Sequence, residues 1–251
     1  MSEFAGQGLE RYKRQIMLDG FGMEGQERLK NACVLIAGAG GLGSVVSIYL
    51  AVAGVGRIRL LDNDKVELSN LNRQVLYWED NIGGYKIDSA VDKLRRLNPT
   101  VQVRGLVVSI TEENAKDLMK GCDVVVDGMD NFTTRFILNK ACFKANIPFV
   151  HAAIYGFEGR LMTIIPGRTA CLQCLYPSPP PEIGPFPVLG AIPGCLACLQ
   201  AMETIKLITG LGKTTNGNLI VIDGEFMRFE VLKVRPNSDC PVCGKAERGA
   251  T

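Results

Sequence analysis

Residues 32–43 read ACVLIAGAGGLG, an unbroken apolar run that passes directly into a cluster of glycines. An apolar run of this kind is typical of a strand buried on both faces of a sheet. Gly38, Gly40, Gly41 and Gly43 then fit the pattern G-x-G-x-x-G, which occurs at a turn between a strand and a helix. Because glycines allow a tight turn, backbone N–H groups reach phosphate oxygens at the helix N-terminus. The stretch therefore predicts a strand, turn and helix that bind a phosphate-bearing ligand.

Strands and helices alternate on both sides of this stretch. Short apolar runs predict strands over 32–37, 57–62, 101–107, 122–127 and 147–152. Helical spacing predicts two short helices within 9–30 and longer ones over 43–53, 85–97, 111–119 and 132–145. Such alternation favours a mostly parallel sheet covered by helices on both faces. We therefore expect a doubly wound, Rossmann-like α/β fold.

The pattern changes after residue 155, where a further strand is predicted over 159–165. Residues 175–194 hold seven of the twelve prolines, so they are expected to form a long crossover loop. A helix over 196–209 then precedes strands at 218–222 and 226–234, which Asp223 and Gly224 join as an antiparallel hairpin. We expect one domain over residues 1–251, composed of a helical segment (1–30), a nucleotide-binding part (31–155) and a C-terminal part (156–251).

The composition excludes several classes of protein. The chain has 251 residues, of which 47% are hydrophobic and 22% charged, and its net charge of +2 argues against a nucleic-acid partner. The polar N-terminus lacks the apolar segment of a signal peptide, and apolar stretches of about 10–12 residues are too short to cross a membrane. Nine cysteines, an odd number, argue against a disulfide framework and for a reducing compartment. We therefore expect a cytoplasmic protein without a membrane segment.

Polar side chains follow the second predicted strand. Asp62 ends that strand, where a carboxylate accepts hydrogen bonds from ribose hydroxyls, and Asp64 follows it. Arg73, Gln74 and Lys86 come next, and the two cations suit a polyphosphate. The glycine pattern alone leaves two nucleotides open. A dinucleotide would make the protein an NAD- or FAD-dependent oxidoreductase, whereas ATP would make it a different enzyme.

Asp127 ends the fourth predicted strand, and Asp130 and Asn131 follow it, so the carboxylates of Asp127 and Asp130 are expected at the same open edge of the sheet. One carboxylate together with phosphates and water is a common environment for Mg²⁺. A dehydrogenase has no need of such a carboxylate beside two cations. The residues therefore favour a site for ATP and Mg²⁺ over a dinucleotide site, and a non-catalytic nucleotide-binding scaffold is less favoured because the charged set is complete.

These motifs together resemble the ThiF/MoeB-type adenylyltransferases of the ubiquitin-activating-enzyme-like superfamily. The resemblance covers roughly residues 9–245 and rests on Arg14-Gln15, the glycine turn, Asp62 with Asp64, the segment Ser69-Asn70-Leu71-Asn72-Arg73-Gln74, Lys86, Asp130-Asn131 and paired cysteines. It implies adenylation of the C-terminal Gly-Gly of a small ubiquitin-like, β-grasp sulfur carrier protein, with release of pyrophosphate. Adenylation of a peptide or a tRNA-linked substrate is a variant within the same class.

The resemblance also implies roles for individual residues. Gly41 would contact phosphates, Asp62 the ribose, Arg73 and Lys86 the phosphates, and Asp130 would bind Mg²⁺. The carrier's carboxylate is already ionised when it attacks the α-phosphorus, so catalysis requires positioning and charge stabilisation rather than a base. Asn70 would position the α-phosphate or the carboxylate. Arg14 would reach the partner's ATP site across a homodimer interface.

Three C-x-x-C pairs occur among the cysteines. Cys171 and Cys174 together with Cys240 and Cys243 predict a closed, tetrahedral structural Zn²⁺ site, the zinc knuckle of the family. Cys195 and Cys198 leave two alternatives open, two small buried residues or a redox or sulfur-handling pair. Core positions are expected for Cys33, Cys122 and Cys142.

One departure from the family concerns the crossover loop. Several relatives carry a cysteine there for thioester or persulfide chemistry, whereas residues 183–187 of this chain contain none. We therefore expect the acyl-adenylate to be handed to a separate sulfur donor. The lone histidine, His151, is expected to be a buried hydrogen-bonding residue rather than a catalytic base.

Overall fold

The buried strand and glycine turn lie at the centre of one mixed sheet. The structure, a computed structural model, describes residues 7–181, 184 and 186–244. Within them, the strands are β1 (Cys33–Ala37), β2 (Arg57–Asp62), β3 (Gln102–Val107), β4 (Val124–Asp127), β5 (Phe149–Tyr155), β6 (Glu158–Ile164), β7 (Asn218–Asp223) and β8 (Arg228–Lys233). The helices are α1 (Gln7–Ile16), α2 (Gly22–Asn31), α3 (Gly41–Ala53), α4 (Lys86–Leu97), α5 (Ala115–Met119), α6 (Phe132–Ala145), α7 (Leu172–Leu175) and α8 (Ala191–Thr209).

The strand order confirms the predicted doubly wound topology. The sheet runs β3-β2-β1-β4-β5-β6-β7-β8. Neighbours from β3 to β5 are parallel, and β5 to β8 pair antiparallel, as the Asp-Gly hairpin signal predicts for the last two. The chain winds from β1 to β2 and β3 on one side and returns to β4 on the other. The carboxyl ends of β1 and β4 therefore form the switch point where doubly wound sheets bind ligands.

Strand β1 is buried on both faces, as its unbroken apolar sequence predicts. Val34 and Ile36 belong to a core that includes residues of α3, α4 and α8. Leu35 and its neighbours on the opposite face belong to a second core with residues of α5 and α6. Helices therefore cover both faces of the parallel strands and leave the carboxyl edge open.

The largest correction to the predicted elements concerns α8. The expected loop over 175–194 ends earlier, because α8 begins at Ala191 and contains Pro193 in its first turn. Proline is tolerated there because the first N–H groups of a helix have no partner within it. The other boundaries differ less: α5 starts at Ala115 rather than residue 111, and β5 extends to Tyr155.

Helix α8 also exceeds the expected length of the apolar stretches. Its 19 residues make it, among the residues described, the one helix long and apolar enough to cross a membrane by length and composition alone. It packs instead against α3, β5 and β6, and Leu196 and Gln200 on it are fully buried. We therefore describe α8 as a core helix.

Close backbone packing fixes the glycine turn. A Cβ atom on Gly43 would lie 1.8 Å from the carbonyl oxygen of Gly38. Gly38 itself has a φ of +91°, and a Cβ atom there would lie 2.5 Å from the carbonyl oxygen of Gly128, just after β4. The end of β1, the start of α3 and the end of β4 therefore approach each other more closely than any side chain permits.

Replacement of Gly43 by alanine is expected to lower the free energy of unfolding by about 2 kcal/mol or more, because the methyl group would overlap the Gly38 carbonyl. Gly194 provides a matched control in the first turn of α8, where a Cβ atom would meet nothing within 4 Å. Gly194→Ala is expected to be neutral or slightly stabilising, since alanine favours helix. Urea denaturation measures both variants, and a Gly43→Ala protein as stable as wild type would contradict the packing argument.

Candidate active site

A cavity of about 910 Å³ opens at the carboxyl edge of β1, β2 and β4. Most of the residues predicted for the nucleotide site line it. They are Gly38, Gly40, Gly41, Asp62, Asp64, Arg73, Gln74, Lys86, Asp130 and Asn131. The fold thus gathers segments nearly a hundred residues apart into one site large enough for a nucleotide and part of a second substrate.

Asp62 braces the glycine turn. One carboxylate oxygen accepts a hydrogen bond from the Ala39 N–H at 2.7 Å, and the other accepts one from the Asp64 N–H at 2.7 Å. Burial raises the pKa of Asp62 above its ordinary value, although the charge of Lys86 and both N–H groups counteract this effect. Each carboxylate oxygen has a second acceptor direction, so Asp62 retains the capacity to bind ribose hydroxyls.

The two predicted phosphate-binding cations differ in their surroundings. Lys86, at the start of α4, is 5% exposed, and its Nζ donates to Asp64 at 2.7 Å. Arg73 is half-buried and donates to the Ser69 carbonyl at 2.8 Å and to the Asn72 side chain at 2.9 Å. Lys86 is therefore a buried cation that pairs with the exposed carboxylate of Asp64 and also acts on the charge of Asp62, and Arg73 is held by its own loop.

Gln74 carries an unusual polar atom in this site. The residue is 4% exposed, and its Oε1 is buried without a hydrogen-bond partner among the described residues. Burying such an atom without a hydrogen-bond partner costs free energy. Unpartnered buried atoms of this kind are common where a bound ligand supplies the missing hydrogen bond. Because Gln74 lines the cavity, this oxygen can accept a hydrogen bond from a donor group of a bound ligand.

Asp130 presents an exposed carboxylate to the cavity. It immediately precedes Asn131, whose side chain caps α6 by accepting from the Thr134 N–H at 2.8 Å and donates to Asp130 at 3.3 Å. An exposed carboxylate in a cavity that also holds two cations and a glycine turn fits the common environment of Mg²⁺ bound to a polyphosphate. The donor set of this site therefore suits a metal–nucleotide complex.

Three predicted residues lie outside the lining of the cavity. Gly43 serves the turn through close packing. Asn70 is buried, accepts from the Glu67 N–H at 3.1 Å and, through its carbonyl, from the N–H groups of Arg73 and Gln74. Arg14 is exposed on α1. In a single chain, Asn70 therefore orders the Arg73 loop, and the expected contacts of Asn70 and Arg14 with the nucleotide stay predictions.

The four paired cysteines come together away from the cavity. Their sulfur atoms all lie within 4.8 Å of one another, with Cys171 to Cys240 at 3.6 Å and Cys174 to Cys243 at 3.2 Å. A tetrahedral Zn²⁺ with Zn–S bonds of about 2.3 Å requires S–S distances of about 3.8 Å. The Asn237 N–H also donates to the Cys174 sulfur at 3.4 Å. The cluster is therefore compatible with zinc.

Comparisons with known proteins agree with this geometry. The ThiF family matches residues 12–242. The chain belongs to the ThiF family. Among the similar relatives is the SAMP-activating enzyme E1 of Haloferax volcanii, 43% identical over 242 residues, covering 94% of this chain and 89% of the relative. The sulfur carrier protein adenylyltransferase of Thermus thermophilus is 43% identical over 247 residues, covering 94% and 91%.

Solved structures of another protein, E. coli MccB, share the fold. E. coli MccB in the structure with MccA-N7isoASN superposes with a TM-score of 0.86 at 26% identity, covering 97% of this chain and 77% of that one. E. coli MccB with ATP gives a TM-score of 0.80 at 28% identity, covering 88% and 69%. The family predicted from the sequence motifs is therefore confirmed.

A buried charged cluster lies directly beneath the Asp130 loop of this ThiF-family protein. The strand-end carboxylate of Asp127 was expected at the open edge with Asp130, but it is fully buried. It accepts from the Met129 N–H at 2.9 Å, contacts His151 Nδ1 at 2.6 Å and lies 3.3 Å from the Arg135 Nε. Arg135 also donates to the carbonyl oxygens of Met129 and Ala152.

This cluster holds the backbone that carries Asp130. It was not predicted as a unit, although a carboxylate at the end of an otherwise apolar strand was a usable signal. His151 has the predicted buried, hydrogen-bonded role. Burial lowers the pKa of His151 below its ordinary value, although the hydrogen bond and charge of Asp127 counteract this. Arg135 also balances the charge of Asp127, which favours the neutral form of the imidazole.

For the third C-x-x-C pair, the structure answers only part of the question that the sequence left open. Cys195 is exposed on α8 and Cys198 is half-buried. The interpretation of both as small buried residues is therefore wrong for Cys195. Desolvation, together with the neighbouring Cys198, raises the pKa of Cys195, so this thiol lacks the character of an activated nucleophile.

The lowered pKa of His151 predicts a pH-dependent stability. Below about pH 6.5 the unfolded chain binds a proton at this histidine that the folded chain does not, so the free energy of unfolding falls as pH falls. The slope should approach about 1.4 kcal/mol per pH unit. Since the chain has one histidine, His151→Gln should remove this slope between about pH 5.5 and 6.5. Denaturant titrations measure it, and an unchanged slope in the variant would assign it to other groups.

Proposed function

We propose that this protein adenylates the C-terminal Gly-Gly carboxylate of a ubiquitin-like, β-grasp sulfur carrier protein, using ATP and Mg²⁺ and releasing pyrophosphate. The observation that carries the proposal is the shared cavity that joins the glycine turn, Asp62, the two cations and Asp130. Relatives over 40% identical are named as a SAMP-activating enzyme and a sulfur carrier protein adenylyltransferase, which supports a carrier protein as the substrate. A nicotinamide or flavin oxidoreductase is not favoured.

The residues divide the work of nucleotide transfer. Backbone N–H groups at the start of α3 bind phosphate oxygens, and Asp62 binds the ribose. Lys86 and Arg73 offset the charge that grows on the phosphates as pyrophosphate leaves. When bound, Mg²⁺ supplies further charge neutralisation of the phosphates, and Asp130 is the residue that would hold it. The attacking carboxylate is ionised at neutral pH, so the protein needs no base.

The second substrate has room in the same cavity. Beyond the nucleotide residues, the lining continues along Tyr155, Arg160 and Tyr176 to Pro181 and Phe186 of the crossover loop. A flexible C-terminal Gly-Gly segment is narrow enough to enter between these side chains. Because the loop has no cysteine, we infer that the acyl-adenylate passes to a separate sulfur donor rather than to a thioester on the loop.

The proposal predicts ATP–pyrophosphate exchange that depends on a carrier protein ending in Gly-Gly. Asp130→Ala should lower exchange at least about 100-fold, because the phosphate charge loses its metal-binding carboxylate, while circular dichroism stays unchanged. Asp80→Ala, on an exposed surface turn, is the matched control and should exchange normally. Absence of exchange with every Gly-Gly carrier, combined with NAD(H) binding, would contradict the proposal.

We also infer a homodimer in which Arg14 of one subunit acts in the ATP site of the other. The support is the exposure of Arg14 and its location outside the cavity of its own chain. The exchange experiment with the Asp130→Ala protein can also test this dimer. Mixing it with inactive Arg14→Ala protein should restore roughly a quarter of wild-type exchange, since mixed dimers regain one intact site. No restoration after subunit mixing would contradict action across the interface.

We propose that the four paired cysteines hold one structural Zn²⁺ and that the protein resides in the reducing cytoplasm. No disulfide joins the cysteines that the structure describes, which supports this compartment. Cys240→Ser should lose the zinc and several kcal/mol of stability, because metal binding adds to folding free energy. Cys195→Ser should keep one zinc per chain. Metal analysis by mass spectrometry distinguishes these outcomes. A wild-type protein that is as stable without metal as with it would overturn the assignment.

A further inference from the structure

The mechanism makes no use of a second pair of thiols, which lies at the opposite edge of the sheet from the cavity. Cys33 is the first residue of β1, and Cys122 lies in the turn between α5 and β4. Their sulfur atoms are 3.5 Å apart. Both residues are buried, with 5% and 6% of their surface exposed, so small molecules retain limited access to them.

The backbone around the pair satisfies the geometry of a disulfide. Val34 pairs with Val124 across the parallel strands, and the Asp123 N–H donates to the Cys33 carbonyl at 2.8 Å. Cys122 is therefore one residue beyond the position opposite Cys33. Neighbouring strands lie about 4.8 Å apart and successive residues about 3.3 Å apart along them, so extended backbone at this offset would place the two Cα atoms about 6 Å apart. Disulfides span Cα separations of about 4.4–6.8 Å.

The surroundings make the two thiols chemically unequal. The hydrogen bond from the Cys122 thiol lowers the pKa of Cys33 to about 7, against the opposing effect of burial, and the charges of Arg59 and Arg57 add to the lowering. The same hydrogen bond and burial raise the pKa of Cys122. Cys33 is thus the more acidic of the two thiols, although the charge of Asp123 opposes the lowering, and it is the one that would attack an oxidant. A thiolate beside cations is the reactive form of cysteine.

We propose that Cys33 and Cys122 form a redox-active dithiol that peroxide converts to a disulfide. The Cys33 thiolate attacks one peroxide oxygen, an S–O bond forms, the O–O bond breaks, and the departing hydroxide takes up a proton to give water. The Cys122 sulfur then attacks the Cys33 sulfenic acid, the S–S bond forms, and the second hydroxide leaves as water with the proton of Cys122. The two thiols lose two electrons in total, and one peroxide becomes two waters.

The location predicts what oxidation does and what it leaves unchanged. The disulfide would join the start of β1 to the turn before β4, closing a long loop that contains the first βαβ unit, and so restrict the unfolded chain. Strand β1 separates the pair from the glycine turn by its full five residues. Oxidised protein should therefore resist denaturation better, while exchange activity changes less than about twofold.

Peptide mapping of the intact protein tests the proposal. Trypsin places Cys33 in peptide 31–57 and Cys122 in peptide 121–135, each with a single cysteine, and Cys142 in peptide 141–144. One equivalent of hydrogen peroxide, followed by alkylation, should give a disulfide-linked pair of the first two peptides. A thiol reductant should reverse the link, and the buried Cys142 should stay reduced.

Variants separate the two steps. In Cys122→Ser, Cys33 should accumulate as a sulfenic acid that dimedone traps, whereas in Cys33→Ser the thiol of Cys122 should stay reduced. Wild-type protein that keeps both peptides reduced, at a peroxide dose that fully oxidises the exposed Cys195, would overturn the proposal. Dimedone-trapped Cys33 without any cross-link in wild type would overturn it as well, because it would show that the sulfur atoms do not meet.

Discussion

The organisation of the proposed nucleotide site depends on the contact between three backbone segments at the ends of β1 and β4 and the start of α3. The Gly38 carbonyl occupies the space that a side chain at Gly43 would need, and the Gly128 carbonyl does the same for Gly38. Neither contact gains much energy by itself. Together they set the distance between the helix that presents N–H groups and the strand that leads to Asp130.

Further interactions hold neighbouring segments in place around this contact. Asp62 binds the Ala39 N–H, and the Tyr77 hydroxyl donates to the Ala39 carbonyl at 2.7 Å, so β2 and the Arg73 loop are fixed relative to the glycine turn. On the other side, the buried cluster of Asp127, His151 and Arg135 fixes the backbone of Met129. The charged groups that we propose to bind ATP are therefore carried by backbone that these interactions hold in place, which is the preorganisation that electrostatic catalysis requires.

The sequence predicted the features that depend on local pattern. The burial of β1 on both faces follows from its unbroken apolar run, and the approach of Cys171 to Cys240 was predicted from the C-x-x-C spacing, although 69 residues separate them. The sequence did not predict the features that depend on tertiary packing. The inward turn of Asp127 depends on Arg135 and His151, which belong to other elements.

Two further differences have the same origin. The exposure of Cys195 depends on which face of α8 packs on α3, and a nearly uniform apolar sequence does not specify that face. The sequence also did not reveal that α8 starts at Ala191. Its proline suggested a loop, but a proline in the first turn of a helix is tolerated. The role of Arg14 cannot be derived from one chain at all, because the resemblance assigns its site to a second subunit.

The central claim is that the carrier's own carboxylate attacks the α-phosphorus of ATP. Its most direct test uses a Gly-Gly carrier whose C-terminal carboxylate is labelled with a heavy oxygen isotope, with ATP, Mg²⁺ and hydroxylamine to cleave the acyl-adenylate. Mass spectrometry of the AMP should show one heavy oxygen derived from the carrier. AMP that takes its new oxygen only from water, or formation of ADP instead of AMP, would contradict the account.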